Sequence, residues 1–395
     1  MLAASAARRY RPLRLGCAGN VLRGSGDAGI SGVILANCAN GMLRLLFYVP
    51  SLAGGGAERL LATLASALSQ RGHEVIFVVD TQSSENASYL AADIEQVRLG
   101  PNHLTNVIRL RRLLRELQPD VSLSALCGQN LKHLLAAILA GRLSRAVQSY
   151  HGFFEGEPGL LSSLSYLLTP ISSRLMASTV CVSETLRAEL LCRFYASPTR
   201  TLRIYNGVPR VPRSVRTARD RDDAAPIVLA CGRLSPDKNY PFLVRAFARL
   251  KNSHARLVIL GEGAERERIE AEIARLDLSR RVSLPGYAAP SPWYERASCF
   301  AMTSTRETFG LVVAEALAAG LPVVTTQSGG PSEILDNGRY GHIVRQIDEA
   351  AFAAALDAAI VDPSDAAVRI ARASEFSIEN CLDNYEALFR DIAQR

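Results

Sequence analysis

Short apolar runs of four to six residues recur along this chain, each separated from the next by a stretch with helical spacing. Residues 45–49 precede a helical stretch over 57–71, and Glu74–Val79 follows it. The rhythm continues through 108–117, 121–123, 132–140, 146–149 and 179–182, and closes at 201–204. Strands that alternate with amphipathic helices pair in parallel, with the helices covering both faces of the sheet. A second run of the same kind opens at Ile227–Cys231. It continues with helix 240–250, strand Arg256–Leu260, helix 264–276, and strands at 282–284, Cys299–Met302 and Val323–Thr326. Between the runs, residues 209–226 (PRVPRSVRTARDRDDAAP) are charged, proline-bounded and without apolar period, as a linker is. The expected class is α/β: two Rossmann-like domains, residues 42–208 and 227–377, facing across a cleft that holds the ligand at the carboxyl ends of the strands.

Composition excludes several alternatives. At 395 residues the chain suits two domains with their own cores. No apolar run approaches the roughly 20 residues of a membrane span. The eight cysteines (17, 38, 127, 181, 192, 231, 299 and 381) are scattered, with no C-x-x-C pair, and are expected to be reduced thiols in a cytoplasmic protein. The formal charge of +7 divides as +4 over residues 1–41, +6 over 42–225 and −3 over 226–395. A basic first half suits an anionic lipid or a pyrophosphate-bearing acceptor. Nucleic acid is disfavoured, because the basic residues are not interleaved with aromatics. Residues 1–41 show no sustained period, whereas Met42 opens a clean strand; they are expected to be a dispensable extension, with a targeting segment as the alternative.

The chemistry is densest in residues 304–330, STRETFGLVVAEALAAGLPVVTTQSGG. Glu307 and Glu315 stand eight apart, with Phe309-Gly310 between them and a helix pattern beginning at Leu311. A helix start beside a glycine offers backbone N–H groups to anionic oxygen such as a diphosphate. Ionised carboxylates only accept hydrogen bonds and so suit hydroxyl-rich groups. Diphosphate plus hydroxyls describes a nucleotide sugar; solvated acids at a helix start are the plainer alternative.

Cys231-Gly232-Arg233-Leu234, with Lys238-Asn239 following, places two cations beyond one strand end, where they suit phosphate oxygens better than solvent. Gly54-Gly55-Gly56-Ala57-Glu58-Arg59 opens the first helix and permits close backbone approach. Asp80, ending the second strand, would grip the ribose of NAD, but the glycine spacing is not G-x-G-x-x-G. His151 follows a strand and can donate to a sugar hydroxyl, and Glu155 and Glu157 are candidates for acceptor contact. Asp220-Arg221-Asp222 lies in the linker and is rejected as a metal motif. Arg109, Arg111, Arg112 and Arg115 alternate with a core stripe that includes Ile108; their face suits solvent or an anionic membrane. The apolar stretch 160–168 suits packing or a lipid acceptor.

These motifs together resemble the E-x7-E retaining glycosyltransferases of the family 4 type, with the GT-B fold, over roughly residues 43–390. The resemblance implies that Glu307 contacts the donor sugar and Glu315 the ribose. Arg233 and Lys238 would hold the departing diphosphate, and His151 the sugar near its 6-position. Gly55, Gly56, Gly232, Thr308, Phe309, Gly310 and Leu311 would line the donor site, with Gly261 and Tyr287 framing nucleotide and base. Glu333, in Gly329-Gly330-Pro331-Ser332-Glu333, would be structural, and helix 378–395 would pack back on the first domain. Also implied are front-face transfer without a covalent enzyme intermediate, no cofactor, and no metal, because the two cations take its role. The acceptor would be a lipid-linked or cell-surface glycan at the cytoplasmic face of the membrane. A GT-B epimerase, an NAD-dependent oxidoreductase and a non-catalytic sugar-nucleotide module remain as alternatives.

Overall fold

The first alternating run folds into a seven-stranded, all-parallel sheet. Its strands are β1 (Arg44–Val49), β2 (Glu74–Val79), β3 (Glu95–Arg98), β4 (Val121–Ala125), β5 (Ala146–Tyr150), β6 (Ser178–Cys181) and β7 (Thr201–Arg203), ordered β3-β2-β1-β4-β5-β6-β7. Between them run α1 (Gly56–Gln70), α2 (His103–Leu117), α3 (Cys127–Ala140), α4 (Leu160–Leu167), α5 (Thr169–Leu175) and α6 (Glu184–Cys192). The second run gives a six-stranded parallel sheet of β8 (Ile227–Cys231), β9 (Arg256–Leu260), β10 (Val282–Gly286), β11 (Cys299–Met302), β12 (Val323–Thr326) and β13 (His342–Val344), ordered β10-β9-β8-β11-β12-β13. Its helices are α7 (Tyr240–Ala248), α8 (Arg266–Arg275), α9 (Ser291–Arg296), α10 (Leu311–Ala318), α11 (Gly330–Ile334), α12 (Glu349–Val361) and α13 (Ala366–Ala373). This computed structural model describes residues 41–53, 55–83, 85–156, 159–211 and 225–395. Expectations for residues 1–40, Cys17, Cys38, Gly54, Glu157, most of the linker and Asp220-Arg221-Asp222 lie outside the described residues.

In each sheet the strand order reverses once, between β1 and β4 and between β8 and β11. Crevices form at these switch points, because the flanking helices leave in opposite directions. The loops after β1, β8 and β11 carry Gly55-Gly56, Arg233 and Glu307, so the order alone sends these residues to the crevices.

Helix α14 (Ile378–Gln394) buries Leu382, Tyr385, Phe389 and Ile392 against the first sheet, where Phe389 meets Phe47 edge-on at 6.2 Å. Its entry is pinned by Val208, which accepts from the Ile378 N–H at 2.9 Å and donates to the Phe376 carbonyl at 2.9 Å. A further core continues beneath both sheets, with Tyr150, Tyr166 and Phe194 at one end and Phe300, Phe309 and Phe376 at the other. The expected stripe of α2 holds at Leu110 and Leu114, but Ile108 is 60% exposed, on the far side of the helix. Among the described residues, no helix is long and apolar enough to cross a membrane.

Two histidines, His133 in the core and the half-buried His151 at the cleft, set an acid limit. His133 on α3 sits between the Ser122 hydroxyl (2.8 Å) and the Ser124 hydroxyl (2.9 Å), which suits a neutral ring with one donor and one acceptor. Burial pushes both His133 and His151 down from 6.5 to about 4. Between these pH values the unfolded chain binds more protons than the folded one, so stability falls as the pH drops through the window. The loss is at most about 3 kcal/mol per histidine. Urea melts at successive pH values between 7 and 4 should show that decline, and a His133→Gln variant should show a shallower one. A flat profile would mean that the folded protein accepts these protons freely.

Candidate active site

A cleft of about 760 Å³ opens at the two switch points. Gly55, Gly56 and Glu58 from the start of α1, with His151 and Phe153 after β5, line it on the first-domain side. Gly232, Arg233 and Lys238 after β8, and the whole stretch from Thr305 to Val312, line the other side. Of the expected site residues, Glu307, Arg233, Lys238, His151, Gly55, Gly56, Gly232, Thr308, Phe309, Gly310 and Leu311 therefore meet in one cavity. Gly261, Tyr287 and Glu315 do not line it.

Lys238 ends a short 3₁₀ turn, Pro236–Lys238, which is stapled to the opposite loop. Thr303 donates to the Lys238 carbonyl at 2.8 Å, and the Thr305 N–H donates to the Asp237 carbonyl at 2.8 Å. The ammonium reaches Glu307 Oε2 at 2.5 Å. Burial pulls the Lys238 pKa down, but Glu307 and Asp237 outweigh it, and the net shift is upward. The lysine is therefore charged throughout the neutral range.

Gly310 caps α10 with φ +95, and no side chain bonds to that cap. The helix start consequently presents backbone N–H groups at Leu311 and Val312, both of which line the cleft.

Glu315 is 3% exposed, one turn farther along α10 and behind the cleft wall. One oxygen accepts from the Tyr294 hydroxyl at 2.9 Å; the other accepts from Arg59 at 3.1 Å. Burial raises its pKa, and Arg59 and Tyr294 pull it back. Arg59 comes from α1, so this ion pair joins the two domains. Sequence reasoning assigned no role to Arg59 or Tyr294: Arg59 lies inside the quoted GGGAER string, but nothing local tells that it faces Glu315, and Tyr294 carries no motif. Glu58, also without a role at that stage, lines the cleft. Burial lifts its pKa, opposed by its own backbone hydrogen bond and the nearby Arg233.

Other bonds cross at the rim. Thr308 donates to the His151 carbonyl at 2.7 Å. The His151 ring bonds the Ser149 hydroxyl through Nε2 at 3.1 Å, while its buried Nδ1 has no hydrogen-bond partner. Glu155, a candidate acceptor contact, is instead engaged by Arg193 and by Arg306 at 2.6 Å; these hold its pKa near about 2. Glu333 caps α6 across the domain boundary, accepting from the N–H groups of Glu184 (2.8 Å) and Thr185 (2.6 Å), a structural task.

Tyr287 and Gly261 lie away from the cleft lining, and Asp80 is engaged elsewhere. Tyr287 is 90% exposed, outside the cleft wall. Gly261 stands behind it: a Cβ there would fall 2.0 Å from the Gly232 carbonyl oxygen, so it shapes the Arg233 loop from the rear. Asp80 is buried, ion-paired with Lys132 and hydrogen-bonded by Tyr48, Asn106 and Gln129. All its acceptor capacity is engaged, so the acid required by an NAD reading is withdrawn from the site.

The model for glycosyl transferases group 1 matches residues 214–376, and that for Glycosyltransferase Family 4 matches residues 54–210. The two tile the two domains in the order the folds require. The chain belongs to the GT-B glycosyltransferases of the family 4 type. The glycosyltransferase is 27% identical over 321 residues to the lipopolysaccharide core biosynthesis glycosyltransferase LpsE of Rhizobium meliloti, covering 78% of this chain and 87% of that one. It is 28% identical, over 78% of this chain and 87% of the relative, to the N-acetylgalactosamine-N,N'-diacetylbacillosaminyl-diphospho-undecaprenol 4-alpha-N-acetylgalactosaminyltransferase of Campylobacter jejuni. In structure it is similar to Anabaena HepE, solved with UDP and glucose: TM-score 0.74, 20% identity, 87% of this chain and 98% of that one. That likeness carries the fold, and its two-domain arrangement is the one seen here.

Proposed function

We propose that this glycosyltransferase moves a hexosyl or N-acetylhexosaminyl group from a nucleoside-diphosphate sugar to a glycan or lipid-linked acceptor, with retention at the anomeric carbon. The observation that carries this reading is the Lys238–Glu307 pair, 2.5 Å apart on the cleft wall beside Arg233 and the start of α10. A diphosphate sugar suits both partners at once: its phosphate oxygens take the ammonium, and its sugar hydroxyls donate to the carboxylate. For Glu315 to accept from the ribose, donor binding must draw Arg59 off the carboxylate it now holds behind the cleft wall; His151 meets the sugar from the other domain. In the transfer, the bond from the anomeric carbon to the phosphate oxygen breaks while the acceptor oxygen bonds on the same face. The acceptor proton passes to the departing phosphate. Arg233 and Lys238 supply the countercharge as the leaving group becomes more negative, the task a metal performs elsewhere. Relatives named for lipopolysaccharide core and for a diphospho-undecaprenol acceptor support a place in cell-surface polysaccharide assembly; in this proposal that assembly takes place at the cytoplasmic face, with peripheral contact.

Thermal melts with UDP, GDP, ADP and NAD test the donor class. A ligand at 100 times its dissociation constant adds about 2.7 kcal/mol, enough to move the melting point by several degrees. One nucleoside diphosphate should produce that shift, and Arg233→Ala and Lys238→Ala should each abolish it. A shift with NAD alone, or with none of the four, overturns the proposal. The anomeric configuration of the product, read by NMR, tests retention separately.

A further inference from the structure

Both oxygens of Glu315 are engaged from outside its own helix. The Tyr294 hydroxyl on α9 donates to one at 2.9 Å, and Arg59 on α1 donates to the other at 3.1 Å. The two donors differ in their freedom to move. Tyr294 is 1% exposed and packed into the core, whereas the Arg59 side chain is 30% exposed. The Arg59 guanidinium also lies over the Tyr89 ring, 5.1 Å from its centroid. That contact does not involve Glu315, so it still holds the cation when another donor takes the carboxylate. Arg59 is the partner able to leave.

Its position makes the departure matter. Arg59 stands in the first turn of α1, just past Gly56 and Glu58, both of which line the cleft. A Cβ on Gly56 would stand 3.2 Å from Leu311 Cδ1, so the starts of α1 and α10 touch. The Arg59–Glu315 pair bridges the same two helices about one turn behind that contact. Glu315 is buried, so water screens the pair less than it would one on an open surface. A guanidinium and a ribose hydroxyl are both hydrogen-bond donors, and they compete for the same carboxylate oxygen.

We infer that Arg59 is a latch on the ribose site: it occupies Glu315 until ribose hydroxyls replace it, and so sets how tightly and how selectively the enzyme takes a nucleoside diphosphate. The latch rests on the reading of Glu315 as the ribose acceptor. A pair closed for about nine-tenths of the time lowers the apparent affinity about tenfold. A nucleotide without ribose hydroxyls has no donor to put in place of the guanidinium. It leaves the pair closed and is held by its phosphates and base.

The test is isothermal titration calorimetry of the full chain with the nucleoside diphosphate that the thermal melts select, and with its 2',3'-dideoxy form. Arg59→Met should tighten binding of the ordinary nucleotide about tenfold, because the competitor is gone and the stranded carboxylate regains a donor from the ribose. Binding of the dideoxy form should change by less than about twofold, which couples Arg59 to the ribose hydroxyls themselves. Removing a cation beside an anion-binding cleft ordinarily weakens binding, so the expected sign is opposite to that of a plain electrostatic role. Arg59→Gln, a neutral polar replacement, covers the case in which the Met variant fails to fold and should shift binding in the same direction. Unchanged or weaker binding of the ordinary nucleotide by both variants, or an equal gain with the dideoxy form, would overturn the latch and leave the donor reading in place. Failure of the unaltered protein to bind any nucleoside diphosphate would instead overturn the donor reading, and the latch with it.

Discussion

Lys238→Ala should lower kcat/KM for sugar transfer by about 100- to 1000-fold while leaving the fold in place. That range is what removing one preorganised group opposite a developing charge typically costs, about 3–4 kcal/mol. The geometry makes Lys238 such a group. Its turn is held by Thr303 and Thr305, and its ammonium lies 2.5 Å from Glu307, so little reorganisation remains when a diphosphate arrives. Arginine should not restore the rate: a wider, planar guanidinium cannot occupy the position of an ammonium packed this closely against Glu307. Glu307 keeps 18% exposure, so its stranded carboxylate is partly hydrated and the melting point should move by only a few degrees. Initial rates and thermal melts on the same preparation check both halves. A rate within tenfold of the unaltered enzyme, at an unchanged melting point, would remove Lys238 from the diphosphate site.

Gly330→Ala should cost about 3 kcal/mol of stability and most of the activity, although the residue touches no substrate in the proposed mechanism. The loop that carries Glu307 lies directly on the backbone of Gly330. A Cβ there would stand 2.4 Å from the Phe309 Cα, 2.5 Å from its carbonyl oxygen and 2.5 Å from that of Thr308. These are main-chain atoms and cannot swing aside as the end of a side chain can. The same contact is held by the Gly330 N–H donating to the Glu307 carbonyl at 2.9 Å, and by the Glu307 N–H donating to the Ser328 carbonyl at 2.7 Å. Relieving the clash therefore moves Glu307 away from Lys238. Gly128→Ala, outside the cleft lining, is the control, because a Cβ there meets only the Leu161 Cβ at 3.9 Å, an ordinary contact. Chemical denaturation and transfer rates on the two variants should diverge strongly; similar values would show that the loop yields at little cost.

Much of this architecture was legible because its signals are local. Short apolar runs between stretches of helical spacing located Glu74–Val79, Ile227–Cys231, Arg256–Leu260, Cys299–Met302 and Val323–Thr326 to the residue. These strands are buried on both faces and written almost wholly in β-branched and apolar residues. Strands β3 and β13 went unread. EQVR and HIV lie at sheet edges, are short and largely unburied, and so lack the apolar run that marks the others. Helices α12 and α13 also went unread; alanine-rich segments outside the site carry no chemistry to draw attention.

By itself, the sequence determined the parallel two-sheet class and the family, and it put Arg233, Lys238 and Glu307 on loops at strand ends, because a strand followed by a helix leaves little choice of geometry. Which groups face one another was decided only by the tertiary structure. Arg59 and Glu315 are 256 residues apart, yet 3.1 Å separates them. Tyr287 and Gly261 followed the family pattern in sequence but lie outside the cleft wall, while Asp80, apparently free, is enclosed by four partners. Ion pairs and caps of this kind depend on how two separately folded sheets dock, a placement fixed by the summed packing of their shared core and by no short stretch of the chain.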